Sequence, residues 1–233
     1  MIWLIGNKGM LGTELSRVLS AAGLEWAGSD RDVDIRDPEA LRAWLAAPGG
    51  GDRRRIDWVV NCSAYTAVDK AEDEEELARS INATGAGNIA LVANEIGAKL
   101  IHISTDYVFR GNGTRPYLET DPVDPAGAYG RTKAEGEALV TKACQRSYIL
   151  RTAWLYGAHG PNFVRTMIKL MRERDSISVV ADQHGTPTWA YDLAQAILVV
   201  IKADQDKFGI YHYTDAGQTT WFEFAVAIQA LGR

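Results

Sequence analysis

Tyr129 and Lys133, four residues apart, have side chains suited to proton transfer. Residues at this spacing lie on one face of a helix, one turn apart. A free tyrosine has a pKa of about 10, and a neighbouring ammonium lowers the pKa of an acid by about 1 to 3 units. We therefore predict Tyr129 as a proton donor whose pKa is lowered by Lys133, although this pair alone also arises by chance.

A hydroxyl that suits the same chemistry follows the apolar run at residues 100–103. Reduction of a carbonyl places negative charge on oxygen as hydride arrives, so a proton donor must sit at that oxygen. Thr105 can hydrogen-bond the same oxygen because a hydroxyl both donates and accepts. Ser104 is the alternative. The order of the motifs along the chain favours Thr105, Tyr129 and Lys133 as a catalytic set.

Three glycines at intervals of three follow the first apolar run, residues 2–5. A glycine turn between a strand and a helix lets a dinucleotide pyrophosphate approach the backbone at the helix N-terminus. The pattern predicts a nicotinamide dinucleotide site, and its members are Gly6, Gly9, Met10, Leu11 and Gly12.

Two adjacent residues after the second predicted strand bear on the choice of dinucleotide. Asp30 can accept hydrogen bonds from the adenosine ribose hydroxyls, which favours NADH. Arg31 can pair with a 2′-phosphate, which favours NADPH. The two preferences oppose each other, so the sequence leaves NADH and NADPH both open.

Short apolar runs alternate with segments of helical period, which indicates βαβ units on a parallel sheet. We predict an α/β fold: a Rossmann-type doubly wound sheet in residues 1–150 and a small, interleaved C-terminal substrate-binding lobe in residues 151–233. Strands are predicted at residues 2–5, 25–29, 58–60, 100–103, 148–150, 177–180 and 210–213. Helices are predicted at residues 10–22, 38–48, 72–96, 162–174 and 190–202, around Tyr129 and Lys133, and from Trp221.

Overall composition narrows the class of protein. The 233 residues carry a net charge of -5, which offers no basic surface for nucleic acid. The two cysteines, Cys62 and Cys144, are too few for a disulfide framework. The apolar N-terminus is too short for a signal peptide or membrane anchor, so we expect a cytoplasmic protein.

Several charged clusters are predicted to have no chemical role. The acidic run 72–76 suits the positive end of a helix dipole. The three arginines 53–55 are expected in a solvated loop. The four histidines show no metal-binding spacing, so no metal site is predicted from the residues.

Six motifs together resemble the extended short-chain dehydrogenase/reductase superfamily, and within it the dTDP-4-dehydrorhamnose reductases. Besides the glycine turn, these are NCSAYTAVDKAE (61–72), STDYVF (104–109), YGRTK (129–133), RTAWLYG (151–157), NFVRTM (162–167) and DQHGTPT (182–188). The resemblance extends over essentially the whole chain.

The resemblance implies reduction of the C4 keto group of dTDP-4-dehydro-L-rhamnose by NADH or NADPH in the biosynthesis of surface polysaccharides. Thr105, Tyr129 and Lys133 take the catalytic roles, and Lys133 also contacts the nicotinamide ribose. The cofactor would further contact Asp34, Ile35, Ser63, Ala64 and Tyr65. The dTDP-sugar would contact Thr66, Val68, Tyr107 and Trp154.

The resemblance also leaves alternatives. Dehydratases of this superfamily have Asp-Glu after the threonine, whereas Asp106 and Tyr107 stand here, which favours simple reduction. A nucleotide-sugar epimerase and a non-catalytic dinucleotide-binding subunit, as in methionine adenosyltransferase, are the rival functions. Relatives bind Mg²⁺ at a homodimer contact through two glutamates, of which Glu14 matches one and Tyr191 replaces the other. Because the family usually continues beyond this point, we expect a C-terminally truncated lobe.

Overall fold

The computed structural model describes residues 1–47 and 56–232, and the arginines 53–55 lie outside these ranges. The strands are β1 (Ile2–Ile5), β2 (Trp26–Ser29), β3 (Trp58–Asn61), β4 (Lys99–Thr105), β5 (Ser147–Thr152), β6 (Leu155–Tyr156), β7 (His184–Gly185), β8 (Thr188–Trp189), β9 (Gly209–His212) and β10 (Thr219–Thr220). The α-helices are α1 (Met10–Ala21), α2 (Pro38–Ala46), α3 (Glu75–Arg79), α4 (Ala86–Glu95), α5 (Ala128–Ala143), α6 (Phe163–Glu173), α7 (Ala190–Ala203) and α8 (Trp221–Leu231).

Six parallel strands form the central sheet in the order β2-β1-β3-β4-β5-β9. The strand order reverses between β1 and β3, because the chain runs from β1 to one edge and then returns to build the other side. In such sheets, ligands bind in the crevice outside the carboxyl ends of the strands at this switch point. The predicted doubly wound parallel sheet is confirmed.

Helices cover both faces of the sheet, and strand alternation divides the core accordingly. Trp3 and Ile5 of β1 pack with α2, α4 and α5. Ile2 and Leu4, which point to the opposite face, pack with α1 and α7. Both faces of the sheet are therefore buried, which explains the nearly continuous apolar runs in its strands.

The segment after β5 contributes to two parts of the molecule. Strand β9 pairs with β5 in the central sheet, and α7 packs on α1. Helices α6 and α8 instead form a separate small core with Met167, Ala225 and Ile228. Two short ladders, β7 with β10 and β6 with β8, lie outside the central sheet. No helix within the described ranges is long and apolar enough to cross a membrane.

The predicted helix at residues 72–96 differs from the observed one. It begins at Glu75 and changes to π-helical geometry over Ser80–Gly85 before continuing as α4. Glu72 lies in a separate 3-10 turn, where its carboxylate accepts a hydrogen bond from the N–H of Ala128 at 2.7 Å. It therefore caps α5, whereas the sequence suggested a solvated start of its own helix.

The predicted strand at residues 177–180 is wrong. Ile177 and Val179 pack against the core between α6 and α8, and the carbonyl of Val180 accepts the N–H of Phe222. The alternating apolar residues therefore fill a gap between helices. The remaining predicted strands and helices occur within a few residues of their expected ends.

A buried ion pair joins α5 to the sheet. Arg151 of β5 donates two hydrogen bonds to Glu137 of α5, at 2.9 and 2.7 Å, and both side chains are nearly inaccessible to water. Ser104 of β4 donates a further hydrogen bond to the same carboxylate. Helix α5, which also carries Tyr129 and Lys133, is thereby held against the carboxyl ends of β4 and β5.

We predict that Glu137→Ala lowers the free energy of unfolding by about 3 to 5 kcal/mol, because it leaves the guanidinium of Arg151 buried without a counter-charge. Urea unfolding followed by circular dichroism measures the loss. Glu135→Ala on the exposed face of the same helix, where Glu135 pairs with Arg79, is the control and should cost less than about 1 kcal/mol. Equal losses in the two variants would contradict the role of the buried pair.

Candidate active site

The glycine turn between β1 and α1 has a geometry that side chains would disrupt. Gly6 has a φ of +79°, and a Cβ there would lie 2.8 Å from the backbone nitrogen of Ser63 after β3. A Cβ on Gly12 would lie 2.1 Å from the carbonyl oxygen of Gly6. Gly9 is the N-cap of α1 and supplies no side-chain cap. The first N–H groups of the helix are therefore open to an anion.

The residues after β2 lie beside this turn. The Asp30 carboxylate accepts hydrogen bonds from the N–H groups of Lys8, at 3.0 Å, and Arg31, at 2.9 Å. Arg31 itself is exposed. The Asp30 carboxylate thus adjoins the glycine turn, and Arg31 is the next residue in the chain.

Asp34 and Ile35, the predicted adenine contacts, have other partners. The carboxylate of Asp34 forms a two-bond pair with Arg36, and these hydrogen bonds lower the pKa of Asp34 to about 2. The side chain of Ile35 is buried in the core, where a Cβ on Gly85 would meet it at 2.7 Å. Only the backbone of Ile35 can serve a ligand without repacking.

The segment after β3 is held by two asparagines that the sequence analysis missed. Asn61 accepts hydrogen bonds from the N–H and hydroxyl of Ser63. Asn82 bonds both the N–H and the carbonyl of Tyr65, at 2.8 and 3.1 Å. Asn82 belongs to the π-helical segment, a geometry that often marks functional sites. In the sequence, Asn82 stood out only as an amide side chain within a predicted helix.

The other predicted contacts in this segment vary in exposure. Ala64 and Val68 are half-buried, and Thr66 is exposed. The Tyr65 hydroxyl donates to Glu74 at 2.6 Å, and this bond is the main reason that the pKa of Tyr65 rises to about 12. Tyr65 and Tyr129 pack against the same small alanine cluster, so the segment adjoins the first turn of α5.

The three predicted catalytic residues come together where β4 ends and α5 begins. The Thr105 hydroxyl donates to Asp106 at 3.1 Å, accepts the N–H of Tyr107 at 3.2 Å, and lies close enough to the Tyr129 hydroxyl to affect its pKa. Lys133 lies one turn further along α5, is 1% exposed, and donates from Nζ to the carbonyl of Ile103 at 2.7 Å.

Burial controls the pKa of Tyr129. It raises the pKa above its ordinary value, while the hydrogen bond with Thr105 acts in the opposite direction. Burial also lowers the pKa of Lys133 to about 8, against the charge of Glu137. The predicted lowering of the Tyr129 pKa by Lys133 is therefore wrong here, because desolvation dominates and the ammonium of Lys133 is directed to the Ile103 carbonyl.

The two aromatic residues predicted to contact substrate occupy different surroundings. Tyr107 is 40% exposed and packs edge-to-face with Tyr129, with ring centroids 5.7 Å apart. Trp154 stacks on Trp221 with centroids 3.5 Å apart, and its backbone adopts a φ of +47°. Trp221, at the start of α8, was missed as a site residue; an aromatic side chain at a predicted helix start was the only sign.

The strained backbone of Trp154 lies two residues after the end of β5. Thr152 pairs with Thr105 in the β4–β5 ladder, so Trp154 leaves the sheet near Thr105. Within the described residues, the buried hydroxyl of Thr152 has no hydrogen-bond partner. A left-handed conformation is costly for a bulky residue and is characteristic of functional sites.

The residues related to a magnesium site do not form a cluster. Glu14 is 4% exposed and lies 3.5 Å from both Arg17 and His159, whereas Tyr191 is 37% exposed. Across residues 1–47 and 56–232, no three or more histidine, cysteine, aspartate or glutamate side chains are grouped to hold a metal ion.

Comparison with known proteins identifies close relatives. The family model described as the RmlD substrate binding domain matches residues 1–232. The dTDP-4-dehydrorhamnose reductase of Escherichia coli (strain K12) is 41% identical over 234 residues, covering 97% of this chain and 76% of the relative. A dTDP-4-keto-6-deoxy-D-glucose reductase of Streptomyces niveus is also 41% identical, over 226 residues, covering 96% and 76%.

Solved structures agree with this relationship. A dTDP-4-dehydrorhamnose reductase from Clostridium acetobutylicum superimposes with a TM-score of 0.92 at 43% identity, covering 99% of this chain and 80% of the other. The Bacillus anthracis protein of that name, in complex with NADP, gives a TM-score of 0.92 at 39% identity and the same coverage. The chain is thus similar in sequence and fold to nucleotide-sugar reductases.

The carboxyl group of Asp106, beside Thr105, yields a prediction about pH. Burial raises the pKa of Asp106 to about 6 from an ordinary value of 3.8, although hydrogen bonds from Thr105 and nearby N–H groups oppose the change. The folded protein therefore holds this proton more tightly than the unfolded chain does. Stability contributed by Asp106 is full below about pH 4 and falls as the pH rises towards 6.

We predict that Asp106→Asn removes this dependence and raises the free energy of unfolding at pH 7 by about 1 to 2 kcal/mol. Urea unfolding at several values between about pH 4 and pH 7 measures it. Exposed Asp175→Asn is the control and should track the parent protein throughout. A difference between Asp106→Asn and the parent that does not change with pH would contradict the prediction.

Proposed function

Because this chain belongs to the dTDP-4-dehydrorhamnose reductase family, whose RmlD substrate binding domain model spans residues 1–232, we propose that Thr105, Tyr129 and Lys133 carry out its reduction chemistry. The chain is an NAD(P)H-dependent oxidoreductase of nucleotide-sugar metabolism. The substrate we propose is dTDP-4-dehydro-L-rhamnose, reduced at its C4 keto group to dTDP-L-rhamnose. The observation that carries this proposal is the meeting of the end of β4 with the start of α5, where Tyr107 packs on Tyr129 and Lys133 donates to the Ile103 carbonyl.

The glycine turn fits a dinucleotide. Its backbone leaves no room for a side chain at Gly6 or Gly12, and within the described residues the buried Oδ1 of Asn7 has no hydrogen-bond partner. The backbone of Met10 and Leu11, at the start of α1, would hold the pyrophosphate. The remaining cofactor contacts that we propose are Asp30, Arg31, Asp34, Ile35, Ser63, Ala64, Tyr65, Tyr129 and Lys133. When bound, the reduced nicotinamide supplies the hydride.

Tyr129 is the proposed proton donor. Because burial raises its pKa, the hydroxyl keeps its proton at neutral pH, which is the state that a donor to a developing alkoxide requires. The Thr105 hydroxyl lies close enough to Tyr129 to affect its pKa and would orient the same carbonyl oxygen. Once Tyr129 has given its proton to that oxygen, the ammonium of Lys133 would stabilise the phenolate.

The dTDP-sugar would lie over the carboxyl ends of β4 and β5. Tyr107 packs on Tyr129, and Trp154 leaves β5 beside Thr105, so both can border the sugar. We propose that Thr66 and Val68, which follow β3, also contact the sugar nucleotide. We propose a substrate lobe built from α6, α8 and the short ladders, with α7 and β9 assigned to the nucleotide-binding domain.

We predict that Tyr129→Phe lowers kcat by at least about a hundredfold, because the phenyl ring has no proton to donate. Oxidation of NADPH or NADH, followed by loss of the near-ultraviolet absorbance of the reduced nicotinamide after addition of the 4-keto sugar nucleotide, measures it. Fluorescence titration with NADPH should show unchanged cofactor affinity.

Tyr211→Phe is the matched control, since the Tyr211 hydroxyl bonds the carbonyl of Lys207 at the opposite end of the sheet. This variant should retain full turnover. Undiminished turnover in Tyr129→Phe would overturn the catalytic assignment. An epimerase would instead interconvert sugars with no net loss of reduced cofactor, and a non-catalytic subunit would bind cofactor without turning over any 4-keto sugar.

Arg31 provides a test of cofactor choice. We predict that Arg31→Ala raises the KM for NADPH about tenfold or more and leaves the KM for NADH within about twofold, because a guanidinium–phosphate pair contributes about 1.5 to 3 kcal/mol. Arg146→Ala, at the amino end of β5, is the control and should alter neither value. Parallel rises for the two cofactors would exclude a role for Arg31 at the 2′-phosphate.

A further inference from the structure

A buried histidine next to Lys133 has no role in the proposed reduction. His102 lies in β4 and is 1% exposed. Its Nδ1 faces the side-chain nitrogen of Asn61 at 3.0 Å, and its Nε2 faces Nζ of Lys133 at 3.4 Å. The ring therefore connects the segment after β3 to the catalytic helix.

The orientation of the Asn61 amide is determined by Ser63. Its Oδ1 accepts the backbone N–H of Ser63 at 3.0 Å and the hydroxyl at 2.6 Å. The opposite orientation would place the amide NH₂ against that backbone N–H, with two donors and no acceptor. The amide nitrogen of Asn61 therefore donates to His102, and Nδ1 of the ring must be an acceptor.

The remaining ring nitrogen then carries the proton. Burial, and secondarily the charge of Lys133, lower the pKa of His102 well below its ordinary value, so the ring is neutral. A neutral imidazole has one N–H, and since Nδ1 accepts, this N–H is on Nε2. It points at Lys133.

An N–H directed at Lys133 distinguishes between the two protonation states of the lysine. It opposes an ammonium but forms a hydrogen bond with the lone pair of an amine. The other groups that act on Lys133 are the Ile103 carbonyl from β4 and the Glu137 carboxylate from α5, and Glu137 is itself paired with Arg151 of β5. His102, with its Nε2 at 3.4 Å from Nζ, favours the amine.

We propose that His102 is a positioning residue, held by Asn61 as the Nε2–H tautomer, that directs the Lys133 side chain and favours its neutral form. Any effect on turnover rests on the proposed reductase function, whereas the tautomer and the protonation of Lys133 are measurable without catalysis.

The tautomer is tested by ¹⁵N NMR of histidine-labelled full-length protein, with the His102 signals assigned by their loss in His102→Gln. We expect an unprotonated Nδ1 and a protonated Nε2 at neutral pH. Asn61→Asp, whose carboxylate cannot donate, should move the proton to Nδ1. A proton on Nδ1 in the parent protein, or a charged ring, would overturn the proposal.

The effect on Lys133 is tested by ¹³C NMR titration of labelled lysine in two variants. His102→Asn can still accept from Asn61 but has no N–H that reaches Lys133, so the Lys133 pKa should rise by about one pH unit. His102→Gln retains an N–H at the Nε2 position and should keep the parent pKa. His184→Asn, on the exposed strand β7, is the control.

The same variants connect the proposal to catalysis. The pH limb of kcat/KM that belongs to Lys133 should move upward in His102→Asn and return in His102→Gln. An unchanged Lys133 pKa in His102→Asn would overturn the proposal. If the NMR shift occurs while no variant, nor the parent, reduces a 4-keto sugar nucleotide, the proposed function fails and the role of His102 stands. If His102→Asn does not fold, the ¹⁵N NMR tautomers of His102 in the parent protein and in Asn61→Asp still test the proposal.

Discussion

The burial of the Lys133 amine between α5 and the sheet is the constraint on which the active site depends. A cation in this position loses its hydration, so burial lowers the pKa of Lys133 to about 8. Its partners are a backbone carbonyl and a neutral ring rather than a paired carboxylate. The carboxylate closest along the helix, Glu137, is already bonded to Arg151. The pKa of Lys133 therefore lies close to neutral pH.

The same helix–sheet contact sets the environment of Tyr129. Desolvation raises its pKa, and the nearby hydroxyl of Thr105 opposes that change. A protonated phenol suits a site that must deliver a proton. The bonds from Arg151 and Ser104 to Glu137 hold α5 at the required distance from β4, so an ion pair away from the reacting atoms supports their geometry.

The topology of the sheet brings the proposed cofactor-binding and catalytic residues to the carboxyl ends of its strands. The close approach of Gly6 to the backbone after β3 occurs at the switch point between β1 and β3, where a crevice forms. Helix α8 meets the carboxyl ends of the strands through Trp154, which leaves β5 in a strained conformation and stacks on Trp221. The left-handed backbone of Trp154 places its indole ring beside the end of β5.

Local patterns were sufficient for most elements and for the order of motifs along the chain. Apolar runs predicted the inner strands β1, β3, β4 and β5 because these are buried on both faces. Asp37-Pro38 predicted the start of α2 because capping is a local interaction. The glycine spacing identified the turn, and the Tyr129–Lys133 spacing identified one face of a helix. None of these inferences required knowledge of distant contacts.

Long-range contacts decided what the sequence could not. The apolar residues 177–180 became packing between α6 and α8, and Glu72 became the cap of α5, because their partners lie far away in the chain. The pKa of Tyr129 rose instead of falling, since desolvation depends on every element that covers a group. Asn61, Asn82 and His102 gained their roles only when β3, β4 and the helices met. A tautomer, like a pKa, follows from the atoms around a group, and tertiary folding alone assembles them.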